Sequence, residues 1–337
     1  MKRKAWLDYI KFIAMFLVVV YHTPPRYDTA HEAALFNMGA PVFFFAAGYL
    51  FNIARQQGFL HFLSHRARQI LVPYTTFFII FYALWLFVGR RMGGTEEQTI
   101  DTMTPVWQFF KGTPDVVLGP FWFLAALFIM QVIYYPIKYF LKGAWPLAIA
   151  LLLSLSILVL PELPIFRYWN LDKALLYMPI YAFGNCCHPL IDKFDFSTAG
   201  RSVLWLLFAA LGLGFLIVAP LNVDSDVARD VVYVLAPEAV LLVLPLYTAT
   251  CKWLESRCST SRIAQTVAIA GITYLALQNY LIGVIKIVVA KLMGPAIFDD
   301  NILLKIGIAI LVMVILYPLA ILIERYLPWL LGKRKDK

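Results

Sequence analysis

Along this chain apolar residues gather in long blocks, and polar residues gather in the short connections between them. Ten blocks, roughly 6–22, 37–53, 71–88, 119–136, 146–160, 174–190, 203–220, 231–250, 266–289 and 303–323, are long and poor in charge. A bilayer core takes about 20 apolar helical residues, fewer where a helix end is embedded in protein. Backbone groups in lipid must satisfy one another, so each block predicts a helix. The pattern predicts an all-α polytopic membrane protein of about ten transmembrane helices, folded as one membrane domain over 1–337 with no separate soluble domain. The first block carries Asp8 and Lys11 and lacks a following small-residue cleavage site, so it reads as a retained helix and not a signal peptide.

Composition sharpens this picture. Of 337 residues 61% are hydrophobic and 15% charged, more apolar material than a soluble domain of this size buries. Secreted, disordered and cytosolic classes are thereby excluded. The net charge of +9 has its explanation in the bilayer and not in nucleic acid. Connections on the N-terminal side carry 18 Lys and Arg against 8 on the other. That bias places both termini in the cytoplasm, in a plasma (inner) membrane. The longest external connection, 89–118, contains Gly93-Gly94 and Trp107 and is a candidate cover for an external opening; His31 falls on another external loop. The tail from Lys333 to Lys337 reads as a cytoplasmic anchor beside anionic lipid. Cys186, Cys187, Cys251 and Cys258 have neither zinc spacing nor a disulfide pattern, and no metal site is expected.

Charge inside a membrane block is expensive, so each instance is a candidate site. In the first block Lys11 and His22 are eleven residues apart, close to three helical turns and about 16 Å of rise, and share one face. Asp8, three residues before Lys11, falls on that face and can pair with it. These residues fit either interfacial anchors at the two helix ends or a functional face. Glu238 with Lys286 or Lys305 fits either a structural ion pair or a binding site for an acceptor.

Three segments change the balance. Leu7-Asp8-Tyr9-Ile10-Lys11-Phe12-Ile13-Ala14, followed by ten residues between Lys11 and His22, resembles the opening of the acyltransferase-3 family of integral-membrane O-acyltransferases. Pro41-Val42-Phe43-Phe44-Phe45-Ala46-Ala47-Gly48-Tyr49-Leu50-Phe51 resembles its second-helix signature, and Trp122-Phe123-Leu124 its fourth-helix segment. The likeness is good over roughly the first 135 residues. It implies transfer of acetyl, or another short acyl group, from cytoplasmic acyl-CoA to a hydroxyl of a cell-envelope saccharide or lipid-linked glycan. The implied catalytic set is His22, as general base, with Lys11 and Asp8.

The basic stretch His61–Tyr74 resembles the family's segment before helix three, which implies Arg66 and Arg68 as donor-binding residues; a positive-inside anchor leaves the same composition. Trp122 in the resembling fourth-helix segment, Asn279 near the usual histidine position and Glu238 as a charge within an apolar block are the candidate acceptor contacts. No permanently bound cofactor is implied; acyl-CoA, acetyl-CoA first, is a cosubstrate, and membrane lipid is the surrounding partner. The chain departs from the family pattern at Lys11, where arginine is usual, at Ala47, where serine is common, and at Gln278-Asn279, near a usual histidine. Lysine keeps the charge but loses the planar fork. Two other functions remain: a transporter or flippase for a lipid-linked saccharide or small anion, and a non-catalytic membrane scaffold that would tolerate loss of His22.

Overall fold

In the computed structural model, residues 3–24, 38–92, 98–160, 163–219, 225–258, 261–298 and 301–333 are described. His31, Gly93, Gly94 and Arg334 to Lys337 lie outside them. Among the described residues the structure is helical throughout, without strands. Among the described residues seven helices are long and apolar enough to cross a membrane: Ala5–His22, Phe59–Gly89, Asp115–Phe140, Ala199–Val218, Asp230–Cys258, Gly271–Met293 and Ile302–Tyr326. Two shorter apolar helices, Gly39–Leu50 and Trp145–Val159, accompany them.

The elements used below are α1 (Ala5–His22), α2 (Gly39–Leu50), α3 (Phe59–Leu84), α4 (Thr104–Lys111), α5 (Trp122–Phe140), α6 (Trp145–Val159), α7 (Leu171–Leu176) and α8 (Met178–Cys186). They continue as α9 (Ala199–Val218), α10 (Asp226–Cys258), α11 (Arg262–Ile269), α12 (Gly271–Met293) and α13 (Ile302–Tyr326).

Three sequence expectations are corrected. The basic stretch before block 71–88 is no connection: α3 starts at Phe59, because Phe62, Ile70 and Tyr74 recur at helical spacing and all are buried. Block 174–190 is two helices, α7 and α8, separated at Tyr177 just before Pro179, whose missing N–H cannot continue the ladder. Block 266–289 is likewise divided, α11 ending at Ile269 and α12 beginning at Gly271. Within the connection 89–118, α4 packs on α3, with Phe109 stacked on Phe78 at 4.4 Å and the Tyr74 hydroxyl donating to the Phe109 carbonyl.

Helix α1 occupies the middle of the bundle, packed against α2, α10, α11 and α13. Its Ile10, Ala14 and Val19 are fully buried. The opposite arrangement holds on α9 and α13, where Leu207, Leu211, Val314 and Leu322 face outward, as lipid-facing positions do. Helices α2 and α8 cross through glycines. A Cβ at Gly48 would lie 2.0 Å from the Tyr181 carbonyl oxygen, and one at Gly184 would lie 2.5 Å from that of Phe45. Asn185 completes the crossing by donating to the Phe51 carbonyl at 2.7 Å while accepting from the Tyr134 hydroxyl at 3.1 Å, so the end of α2 is capped by α8. Gly48→Leu is therefore expected to destabilise the protein by about 3 kcal/mol or more, since backbone and not a flexible side chain must move. A lower melting temperature of the purified variant in detergent is the readout.

The first and last described segments meet the same end of the bundle. Lys4 donates to the Tyr49 hydroxyl at the end of α2, while Gly332 lies against Arg68 in α3.

Candidate active site

A cavity of about 1120 Å³ runs along α1. Lys11, Met15, Val18 and His22 all line it, at intervals of four, three and four residues. That spacing is one helical face, so the cavity follows α1 for about 16 Å from Lys11 to His22. Helix α5 forms a facing wall with Trp122, Leu127 and Gln131, and α2 contributes Phe43 and Ala47. The two ends differ in chemistry. Toward the start of α1 the lining is cationic, from Arg66, Arg68, Arg325 and Lys333 beside His65, with Glu324 the one carboxylate among the described lining residues. His65, Arg68 and Lys333 are exposed, so this end opens to the surface. Toward His22 the lining is aromatic, from Tyr21, Phe43, Trp122 and Phe123.

The cationic end is assembled by α3. Arg66 donates from Nη1 to Gln69 Oε1 at 2.9 Å and lies over the Phe62 ring at 5.7 Å; its Nε is buried with no hydrogen-bond partner among the described residues. Arg68, two positions on, is turned the other way and donates from Nε to the Gly332 carbonyl at 3.0 Å. Both nevertheless line the cavity, where the C-terminal segment folds back over the middle of α3. Lys11 is partly buried and makes no hydrogen bond or ion-pair contact among the described residues. An amine in that position is available to an anion entering from the basic end.

His22 is the last residue of α1, half-buried, with the Tyr21 ring edge-on at 5.1 Å. The backbone just beyond it is held firmly. The Lys305 ammonium, 1% exposed, donates to the Thr23 carbonyl at 2.6 Å, and the Thr23 hydroxyl donates to the Val19 carbonyl at 2.8 Å. A cation at a helix C-terminus satisfies an orphan carbonyl and the helix dipole together. Trp122, across the cavity, has the Lys173 ammonium over its ring at 4.7 Å and Tyr177 stacked at 6.0 Å.

Lys11, His22, Arg66, Arg68 and Trp122 are thus brought to one cavity, whereas Asp8, Glu238 and Asn279 are not among the described residues that line it. The expected Asp8–Lys11 pair does not form. Asp8 Oδ2 accepts from Arg3 Nε at 2.7 Å and Oδ1 from Arg3 Nη2 at 2.9 Å, because a guanidinium fork matches both carboxylate oxygens while Lys11 turns to the cavity. Glu238 is not paired with a lysine either; its Oε1 accepts from Ser154 on α6 at 3.1 Å, while Lys305 is committed to the end of α1. Asn279 has a buried Oδ1 without a partner, and neighbouring Gln278 is wholly buried. Sequence reasoning missed Gln131, Glu324, Arg325 and Lys333. Gln131, 3% exposed with an unpartnered Oε1, was detectable as an amide inside an apolar block. The other three look like ordinary interfacial charge until the chain folds back.

A family model for the acyltransferase domain, Acyl_transf_3, matches residues 4–325. The chain belongs to the acyltransferase-3 family. Comparisons with curated proteins and with solved structures return no match. The match extends the likeness from the first 135 residues to nearly the whole chain, α13 included. The protein is an acyltransferase built from membrane helices, and the transporter and scaffold readings lose their support.

Proposed function

We propose that this acyltransferase moves an acyl group, acetyl in the first instance, from cytoplasmic acyl-CoA to a hydroxyl of a cell-envelope saccharide or lipid-linked glycan. The observation that supports this most directly is the single cavity joining a cationic opening to His22 along one face of α1. In this reading both termini are cytoplasmic, the membrane is the plasma membrane, and the cationic end faces the donor. Arg66 and Arg68 hold the phosphates of CoA by charge-assisted hydrogen bonds, while the pantetheine arm extends past Lys11. Lys11 sits between the two ends and helps keep the donor in line.

The reaction needs a base beside the acceptor hydroxyl. Imidazole titrates near neutrality, so neutral His22 can take the hydroxyl proton as oxygen attacks the thioester carbonyl. Collapse of the tetrahedral intermediate breaks the C–S bond, and the imidazolium returns the proton to the departing thiolate. The aromatic walls near His22 limit water, which would otherwise hydrolyse the thioester. Trp122 offers a flat face for a sugar ring in this scheme, and Glu238 and Asn279, away from the cavity lining, are assigned no contact with the acceptor.

Envelope glycans compared by mass spectrometry from cells with and without the gene test the reading: glycans from expressing cells should carry a mass increment of one acetyl group. Identical glycan spectra would overturn it. Replacing Arg66 and Arg68 together by Gln is expected to raise the apparent donor KM about tenfold or more while changing saturated turnover less, because phosphate contacts persist through the reaction. Initial rates across acyl-CoA concentration read this out; an equal fall in kcat with KM unchanged would remove the donor assignment.

A further inference from the structure

The family match ends at Arg325, but the ordered chain does not. Beyond α13 a short turn of 3-10 helix, Pro328–Leu331, folds back onto the middle of α3. Pro328, Leu330 and Leu331 are buried, and Leu331 joins the apolar cluster containing Ile70 and Tyr74. Backbone bonds secure the segment: Thr76 Oγ1 donates to the Leu330 carbonyl at 2.7 Å, and Arg68 Nε donates to the Gly332 carbonyl at 3.0 Å. Gly332 has φ of 64° and sits so close that a Cβ would lie 2.1 Å from the Arg68 carbonyl oxygen. Only glycine fits, and its left-handed turn ends the segment with the Lys333 N–H bonded to the Pro328 carbonyl at 3.0 Å.

This placement puts Arg325 and Lys333 into the same lining as Arg66 and Arg68, with Arg68 bonded to the residue before Lys333. Lys333 Nζ contacts Glu324 Oε2 at 2.5 Å, and the Arg325 guanidinium lies 5.4 Å from the Tyr326 ring centroid. A simple membrane anchor needs neither a buried apolar turn nor a glycine locked against α3. Nor would it line the cavity that reaches His22.

We infer that the segment 324–333 is a working wall of the donor site, and that Arg325 and Lys333 bind the phosphate groups of the CoA nucleotide while Glu324 holds Lys333 in place when the site is empty. The inference rests on the acyl-CoA reading above. CoA carries phosphates at two separated positions, on the ribose and in the diphosphate bridge. Four cations from two chain segments match that distribution better than one arginine pair on α3. Phosphate entry exchanges the Lys333–Glu324 contact for a Lys333–phosphate contact, so Glu324 opposes binding and the cations favour it.

The opposite signs make the test. The full-length protein, purified in detergent, is titrated with CoA by calorimetry, which needs no turnover. The Arg325→Gln/Lys333→Gln double variant is expected to bind CoA about tenfold or more weakly and with a shallower salt dependence. Glu324→Gln is expected to bind as tightly as the parent or tighter. Weakening in the double variant without weakening in Glu324→Gln supports the inference. Unchanged affinity in the double variant overturns it, as does equal weakening in all variants, the signature of a purely structural clasp. If the parent protein binds no CoA while still transferring acyl groups, the donor reading itself falls; parent binding with an unaffected double variant fails this inference alone. Elution at the parent volume in size-exclusion chromatography confirms that each variant is folded.

Discussion

His22→Ala should lower acyl transfer by about 10²-fold or more while leaving expression and folding intact, as expected for loss of a general base. The side chain is half-buried at the end of α1, and the end of the helix is fixed independently by Lys305 on the Thr23 carbonyl and by Thr23 on Val19. Truncation at His22 leaves both of those anchors in place. Kinetically the loss should fall on kcat and kcat/KM together, since proton transfer matters in the transition state and not in donor binding. Near-parental turnover of the purified variant would sink the assignment and move the search for a base to another residue of the cavity.

The second large effect is one of sidedness. In sealed vesicles of known orientation, acyl-CoA should support transfer only when supplied on the face that carries the cationic end, and the acylated glycan should appear on the other face. The cations of α3 and the C-terminal segment lie at one end of the cavity, and His22 lies about 16 Å of helix rise beyond Lys11. Burying the charged nucleotide deeper would cost far too much, whereas the uncharged pantetheine arm can extend toward His22. The thioester crosses and the phosphates stay behind. Equal rates with donor on either face of intact vesicles would refute transfer through the membrane even if His22 proved catalytic.

The sequence by itself determined the class of the protein and which residues of its first helix share the cavity-lining face. Both are local consequences of physics: lipid forces apolar blocks into helices, and a 3.6-residue period places positions 11, 15, 18 and 22 on one side whatever surrounds them. The segments around Lys11, Gly48 and Trp122 also carried the family resemblance, and Gly48 proves to be where α2 meets the Tyr181 backbone. Tertiary structure decided what periodicity cannot encode. Asp8 had two cations within reach, and the choice of Arg3 over Lys11 depended on which side chain the cavity drew away. Whether Arg66 and Arg68 are anchors or cavity residues is the same composition in either case, and only the return of Pro328–Leu331 onto α3 brought further cations into the same lining. That contact joins residues some 260 positions apart through a glycine turn and a few buried apolar side chains, so no local pattern announces it. Glu238 and Asn279 were singled out as polar groups in apolar blocks, a property of composition. Their distance from the cavity lining is a property of how α10 and α12 pack, which sequence periodicity leaves open.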